Sequence, residues 1–255
     1  MNDLAQTSDI NESERVQSLI NNGRVAMGAL TDASQERVDE AVAALAWAVY
    51  KPERARELAE LAVHDTGMGN VDSKITKNTR KTFGTLRDLL RAKTVGIVES
   101  DSARGMVKYA KPVGVVGAVT PSTNPAATPV NKAMMAVKGR NAVIVAASPA
   151  GFGTTLKTVD YMREALEKIG LPADLVQVLP PPVNKEMTQQ LMEQCDLVVV
   201  TGSQNNVKRA YSSGTPAIGV GAGNVAVMIA ESANLDEAAE KICASKIFDL
   251  SLIHI

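Results

Sequence analysis

Two apolar runs set the frame of the chain. Residues 113–119 and 142–147 are rich in valine and isoleucine without polar alternation, the pattern of parallel strands covered on both faces. Between them, Pro121-Ser122-Thr123-Asn124-Pro125 is a polar turn bracketed by prolines, and Ala126, Val130, Ala133, Met134 and Val137 recur at helical spacing. The stretch predicts strand, loop, amphipathic crossover helix, strand. The same rhythm continues downstream: helix 154–169, strand 174–179, helix 184–194, strand 197–201, helix 204–212, strand 225–229, helix 236–247. Such alternation predicts an α/β fold on a doubly wound, mostly parallel sheet.

Upstream the period is helical. Helices are predicted over 12–30 and 32–50, the second with Val38, Ala41, Val42, Leu45, Ala48 and Val49 as an apolar stripe. Pro52 suits a first helical position, Ala55, Leu58, Ala59 and Ala62 carry the pattern to a stop at Gly67, and a fourth helix is expected over 71–91. Residues 1–92 thus form an N-terminal helical arm. Lys74, Lys77, Arg80 and Lys81 read as its solvated face; attraction of a phosphate-bearing substrate is the weaker alternative. Between 93 and 111 the helical pattern stops, and short strands are expected over 94–98 and 106–110 around a polar turn.

Composition narrows the function. Across 255 residues, 45% hydrophobic content supports a sizeable core, and 27 Lys plus Arg against 28 Asp plus Glu leave no charge excess for nucleic acid or an anionic membrane. An aromatic content of 3% provides few platforms for stacked bases. No run approaches the ~20 apolar residues of a membrane span, and the polar, acidic amino end is unlike a secretory signal, so a cytoplasmic location is expected. Cys195 and Cys243 read as reduced thiols, and His64 and His254 stand too far apart for a metal motif, so no metal is expected.

Candidate chemistry follows from topology. Loops at the carboxyl ends of parallel strands carry ligand sites, which points to Ser122, Thr123 and Asn124. A G-x-G-x-x-G fingerprint between strand and helix is missing; Gly219, Gly221 and Gly223 precede a predicted strand and suit a backbone turn close to a ligand or a neighbouring strand. Thr201-Gly202-Ser203, where an apolar run meets a helix, could hold a phosphate at unpaired amides or simply cap the helix.

Specific segments then narrow the field. TPSTNPAAT at Thr120 to Thr128 and KGRNAVIV at Lys138 to Val145 resemble the coenzyme A-acylating branch of the aldehyde dehydrogenase superfamily. ELAVHDTGMGN, VVVTGS and GVGAGN fall in that family's order and spacing, and the resemblance runs to Asp249. It implies a Rossmann-like cofactor domain and oxidation of a small aldehyde by NAD or NADP to a thioester of coenzyme A, in a homo-oligomer associating partly through strands such as 94–110. Members acting on sulfoacetaldehyde look most similar; acetaldehyde and propionaldehyde enzymes are the near alternatives. A non-catalytic nucleotide-binding or subunit-interaction module is the rival of another class.

The resemblance also assigns sites. Thr201, Gly202 and Ser203 would hold the dinucleotide pyrophosphate, with Ser148 and Pro149 on the adenosine side and Gly219 and Gly221 close by. Ala146 stands near a lysine of many relatives, leaving NAD against NADP open. Asn124 or Thr123 would donate to the oxyanion of the adduct. Water-using relatives carry a glutamate where this chain reads Gly219-Val220-Gly221-Ala222-Gly223, so coenzyme A rather than water is expected to take the acyl group. The family's nucleophilic cysteine would fall near 254, where His254 stands. Cys195 and Cys243 are expected to be buried and inert. Residues 1–249 are therefore expected to be the cofactor-binding part, 250–255 a tail outside the family pattern, with the catalytic domain absent, exposed apolar surface in its place, and no turnover by this polypeptide.

Overall fold

The computed structural model describes residues 11–221 and 226–248. Its centre is a five-stranded sheet in the order β5-β4-β3-β6-β7, in which every pairing is parallel. The strands are β3 (Val115–Val119), β4 (Ala142–Ala146), β5 (Val176–Val178), β6 (Leu197–Thr201) and β7 (Ala217–Val220). β1 (Ile97–Asp101) and β2 (Met106–Tyr109) form a separate antiparallel hairpin, and the order reverses direction on either side of β3, as in a doubly wound sheet.

Helices cover both faces. α2 (Gln35–Tyr50), α6 (Ala127–Lys138) and α7 (Phe152–Lys168) pack over Val116, Ala118, Val143 and Val145, while α1 (Glu12–Met27) and α8 (Lys185–Gln194) cover Val115, Val119, Ile144 and Ala146. Successive residues of one strand therefore enter opposite cores. The stripe read on α2 is buried throughout, and Ser34 caps that helix by accepting from Arg37 N. α3 (Pro52–Thr66) opens on its proline and closes at Gly67 in a left-handed conformation. α9 (Gln204–Tyr211) flanks β6 and β7.

The start of the central strands is fixed by one aspartate. Asp196, just before β6, accepts from Val115 N at 2.7 Å and from the Arg24 guanidinium at 2.9 Å. Gly114 has φ +127°, and a side chain there would meet Asp196 Oδ2 at 2.1 Å. Only glycine leaves room for that carboxylate.

Several expectations need correction. The helix expected over 71–91 is α4 (Val71–Thr76), a π-helical segment over Lys77–Lys81 and α5 (Thr82–Leu90). Its basic face is not uniformly solvated: Lys74 and Lys77 are buried, and only Arg80 and Lys81 face solvent. The hairpin strand expected over 94–98 is shifted to Ile97–Asp101. α6 is buried around almost its whole circumference, not along one stripe, with Met135 exposed. No strand forms over 226–229; the fifth strand is β7, drawn from the stretch read as a glycine turn. Backbone pairing with β6 overrides the weak strand propensity of its glycine. Cys243 lies exposed on α10 (Leu235–Ile247), a helix that buries none of its residues among those described. His254 and residues 249–255 lie outside the described residues.

Candidate active site

Because the sheet is parallel, the carboxyl ends of β3, β4, β6 and β7 reach one edge together. β3 ends with Val119 opposite Ala146 of β4 and Val200 of β6. The loop after β3 is tied to the turn after β4: Thr120 N and Oγ1 both meet Ala146 O, at 3.0 and 3.3 Å, and Thr155 Oγ1 donates to Pro125 O at 2.9 Å. Ser148 Oγ accepts from Gly151 N, and a side chain on Gly151 would come 2.8 Å from Pro125, so Ser148 and Pro149 lie beside this loop.

On the other side of β3, Gly202 faces Pro121. Its conformation, φ +149°, favours glycine, and a Cβ there would stand 3.8 Å from Pro121 Cβ. The two loops thus flank one crevice at the point where the strand order reverses, the ligand position of open α/β sheets. Gly202 N is committed to Val220 O at 3.1 Å and Ser203 Oγ caps α9 through Asn206 N, which leaves the remaining first-turn amides of α9 to receive an anion. Gly219 lies one residue before the end of β7, where its missing side chain makes room for Val207 and Tyr211; Gly221 follows the strand and faces Gln204 at the start of α9.

Thr123 and Asn124 are half-buried in the loop that follows β3. Asn124 Nδ2 donates to Thr123 Oγ1 at 3.3 Å, so the two side chains orient each other. Beneath them, Lys74 Nζ donates to Thr123 O at 3.0 Å. A crevice with short polar side chains on one wall and helix-start amides on the other can hold a carbonyl compound beside a nucleotide.

Comparison with known proteins decides the family. The model of the aldehyde dehydrogenase family matches residues 3–249. The chain belongs to the aldehyde dehydrogenase family. It is 55% identical over 237 residues to a sulfoacetaldehyde dehydrogenase (acylating) of Cupriavidus necator, covering 93% of this chain and 48% of that one. A succinate-semialdehyde dehydrogenase (acetylating) of Clostridium kluyveri is 40% identical, with 93% and 52% covered. The structure of an acetylating aldehyde dehydrogenase from Geobacillus thermoglucosidasius superimposes with a TM-score of 0.88 at 37% identity, covering 96% of this chain and 54% of that one. The chain spans about half the length of these relatives.

Within this aldehyde dehydrogenase chain the buried thiol is a poor nucleophile. Cys195 is buried at the start of β6, the opposite end of that strand from Thr201, and burial pushes its thiol up to about 11. Cys243 is exposed on α10. Among the described residues no group of three or more His, Cys, Asp or Glu could hold a metal ion, and no helix is long and apolar enough to cross a membrane.

Two residues at the site escaped sequence reasoning. Lys74 looked like part of a basic surface and instead supports Thr123 from below. Lys132, 6% exposed, donates to Val119 O at 2.6 Å and to Val199 O at 2.7 Å. A usable signal existed for the second: a helix between two apolar strands with few polar residues is buried all round, and a lysine inside it must find acceptors.

Proposed function

We propose that this chain is the cofactor-binding part of a coenzyme A-acylating aldehyde dehydrogenase, in which NAD or NADP, an aldehyde and coenzyme A yield an acyl-coenzyme A and the reduced nicotinamide. The observation that carries the reading is the approach of Gly202 to Pro121, which supports taking the helix-start amides and the Thr123–Asn124 pair as two walls of one site. The cofactor, when bound, accepts a hydride from the substrate carbon. The first-turn amides of α9 receive its pyrophosphate, Gly202 admits the backbone close to it, and Ser148 and Pro149 border the adenosine. Asn124, steadied by Thr123, donates to the oxygen that becomes negative when a thiolate adds to the carbonyl. Cys195, buried at the opposite end of β6 from the crevice, does not supply that thiolate. Residues 219–223 offer no carboxylate to activate water, which favours a thiol as the acceptor of the acyl group. Sulfoacetaldehyde is the substrate we favour over acetaldehyde and propionaldehyde, a choice supported by the 55% identity to an acylating sulfoacetaldehyde dehydrogenase.

Fluorescence titration with NADH and with NADPH tests the site. The chain is expected to bind at least one of them saturably, and Gly202→Asp to weaken that binding by about tenfold or more, because a carboxylate then faces the pyrophosphate from a strained backbone. Failure of the unaltered chain to bind either overturns the nucleotide reading; equal binding by Gly202→Asp overturns the placement of the pyrophosphate.

A further inference from the structure

Lys132 lies where the two central strands part. β3 and β6 stay paired up to Val119 opposite Val200. Beyond that point one chain turns into the loop from Thr120 to Pro125 and the other into Thr201–Ser203. Val119 belongs to the last rung of that pairing and Val199 lies opposite Ala118, one step inside it. Lys132 Nζ holds both strands at this end of the ladder, with one hydrogen bond to Val119 O at 2.6 Å and one to Val199 O at 2.7 Å.

The tether explains why a lysine does this. Lys132 stands in the second turn of α6, whose side chains tilt toward the helix start and so toward the strand ends from which the loop leaves. Its amine is buried, and its hydrogen-bond acceptors are the two backbone carbonyls, one on each strand. An amine bridging two carbonyls of neighbouring strands adds a tie of its own to the last rungs of the ladder that pairs them.

We propose that Lys132 is a positioning residue that sets the width of the crevice between the Thr120–Pro125 loop and Thr201–Ser203. The proposal rests on the reading that a dinucleotide spans that crevice. Lys132 acts through the strand ends. Methionine at this position fills similar space but removes both hydrogen bonds, so the two walls lose that tie at the end of the ladder. Glutamine keeps a donor on a shorter arm and restores part of the bridge.

The test separates a spacing role from general support of the fold. NADPH, which spans both walls, and 5′-AMP, which engages the adenosine side alone, are titrated into the full 255-residue chain and into Lys132→Met and Lys132→Gln. Lys132→Met is expected to weaken NADPH by about tenfold or more and 5′-AMP by less than about twofold, with Lys132→Gln about threefold weaker for NADPH alone. Equal losses for both ligands, or no loss for either, overturn the proposal. Should Lys132→Met not fold, Lys132→Gln decides: a loss confined to NADPH supports the bridge, and unchanged or equally reduced binding of both ligands rejects it. An unaltered chain that binds neither NADPH nor NADH removes the nucleotide reading, and this proposal with it; where only NADH binds, NADH takes the place of NADPH in the comparison. An unaltered chain that binds while Lys132→Met binds equally well removes this proposal alone.

Discussion

The strands at the middle of the sheet and the strands of the hairpin are alike in length and differ in fate. β3 and β4, VVGAV and AVIVA, are buried at every position, whereas β1 and β2, IVESD and MVKY, are exposed at all positions but Asp101. Ile97, Met106 and Val107 are as apolar as the residues of β3, yet none is covered. The difference lies in what packs on each face. α2, α6 and α7 close one side of β3 and β4, and α1 and α8 close the other, while no described element covers the hairpin. The segment 226–248 resembles the hairpin: Met228 and Leu235 are exposed and α10 buries nothing. Stability is therefore concentrated in the sheet and its helices, and the hairpin and last helix present apolar surface of the kind that marks association.

The largest effect that tests this contrast comes from paired truncations. Ile144, fully buried on β4, should lose ~2–5 kcal/mol on Ile144→Ala through lost burial and a cavity. Val107→Ala on β2 should stay within ~0.5 kcal/mol. Urea midpoints of the two variants measure the contrast directly. A loss at Val107 equal to that at Ile144 would mean that the hairpin is covered in solution.

What the sequence revealed divides along the same line. The buried strands announce themselves by unbroken runs of valine and isoleucine, and the covering helices by stripes such as Val38 to Val49, because burial on both faces leaves a strong imprint on residue choice. The polar loop from Thr120 to Pro125 was legible for a related reason: its position between strand and helix follows from topology. β7 was not legible, since its pairing with β6 is made by backbone groups and its Gly219 reads as a turn. Nor was the support beneath the loop. Lys74 and Lys132 reach carbonyls 49 and 13 positions away respectively, and no local pattern records such contacts.

Next in size is a pH effect confined to the buried region. Burial draws the Lys132 ammonium from 10.5 down to about 7, although its two carbonyl acceptors favour the charged form. In the unfolded chain the ordinary value returns, so between about pH 7 and pH 10 the unfolded state binds the extra proton and stability rises with pH. The penalty for the buried charge is complete below 7 and is relieved above it, and the neutral amine still carries two N–H donors for the bridge. Cys195 acts in the opposite sense, but only above its ordinary value of 9, because its folded thiol holds the proton to about 11. The clean window is therefore pH 7 to 9. Urea midpoints should climb across it more steeply in the unaltered chain than in Lys132→Gln, by up to ~1.4 kcal/mol per pH unit. Parallel slopes would show that the amine reaches water.

The smallest effect comes from the other side of the comparison. Met228 is 99% exposed, next to Val227 and Ile229, which are about half exposed. A methionine side chain in water in both the folded and unfolded states contributes nothing to folding through burial, so Met228→Ser should shift the urea midpoint by less than ~0.5 kcal/mol. The same substitution removes apolar surface from a patch shared with α10, and light scattering should show less self-association. Loss of stability comparable to that of Ile144→Ala would break the contrast from this end, because it would require Met228 to be packed against a surface that none of the described residues provides.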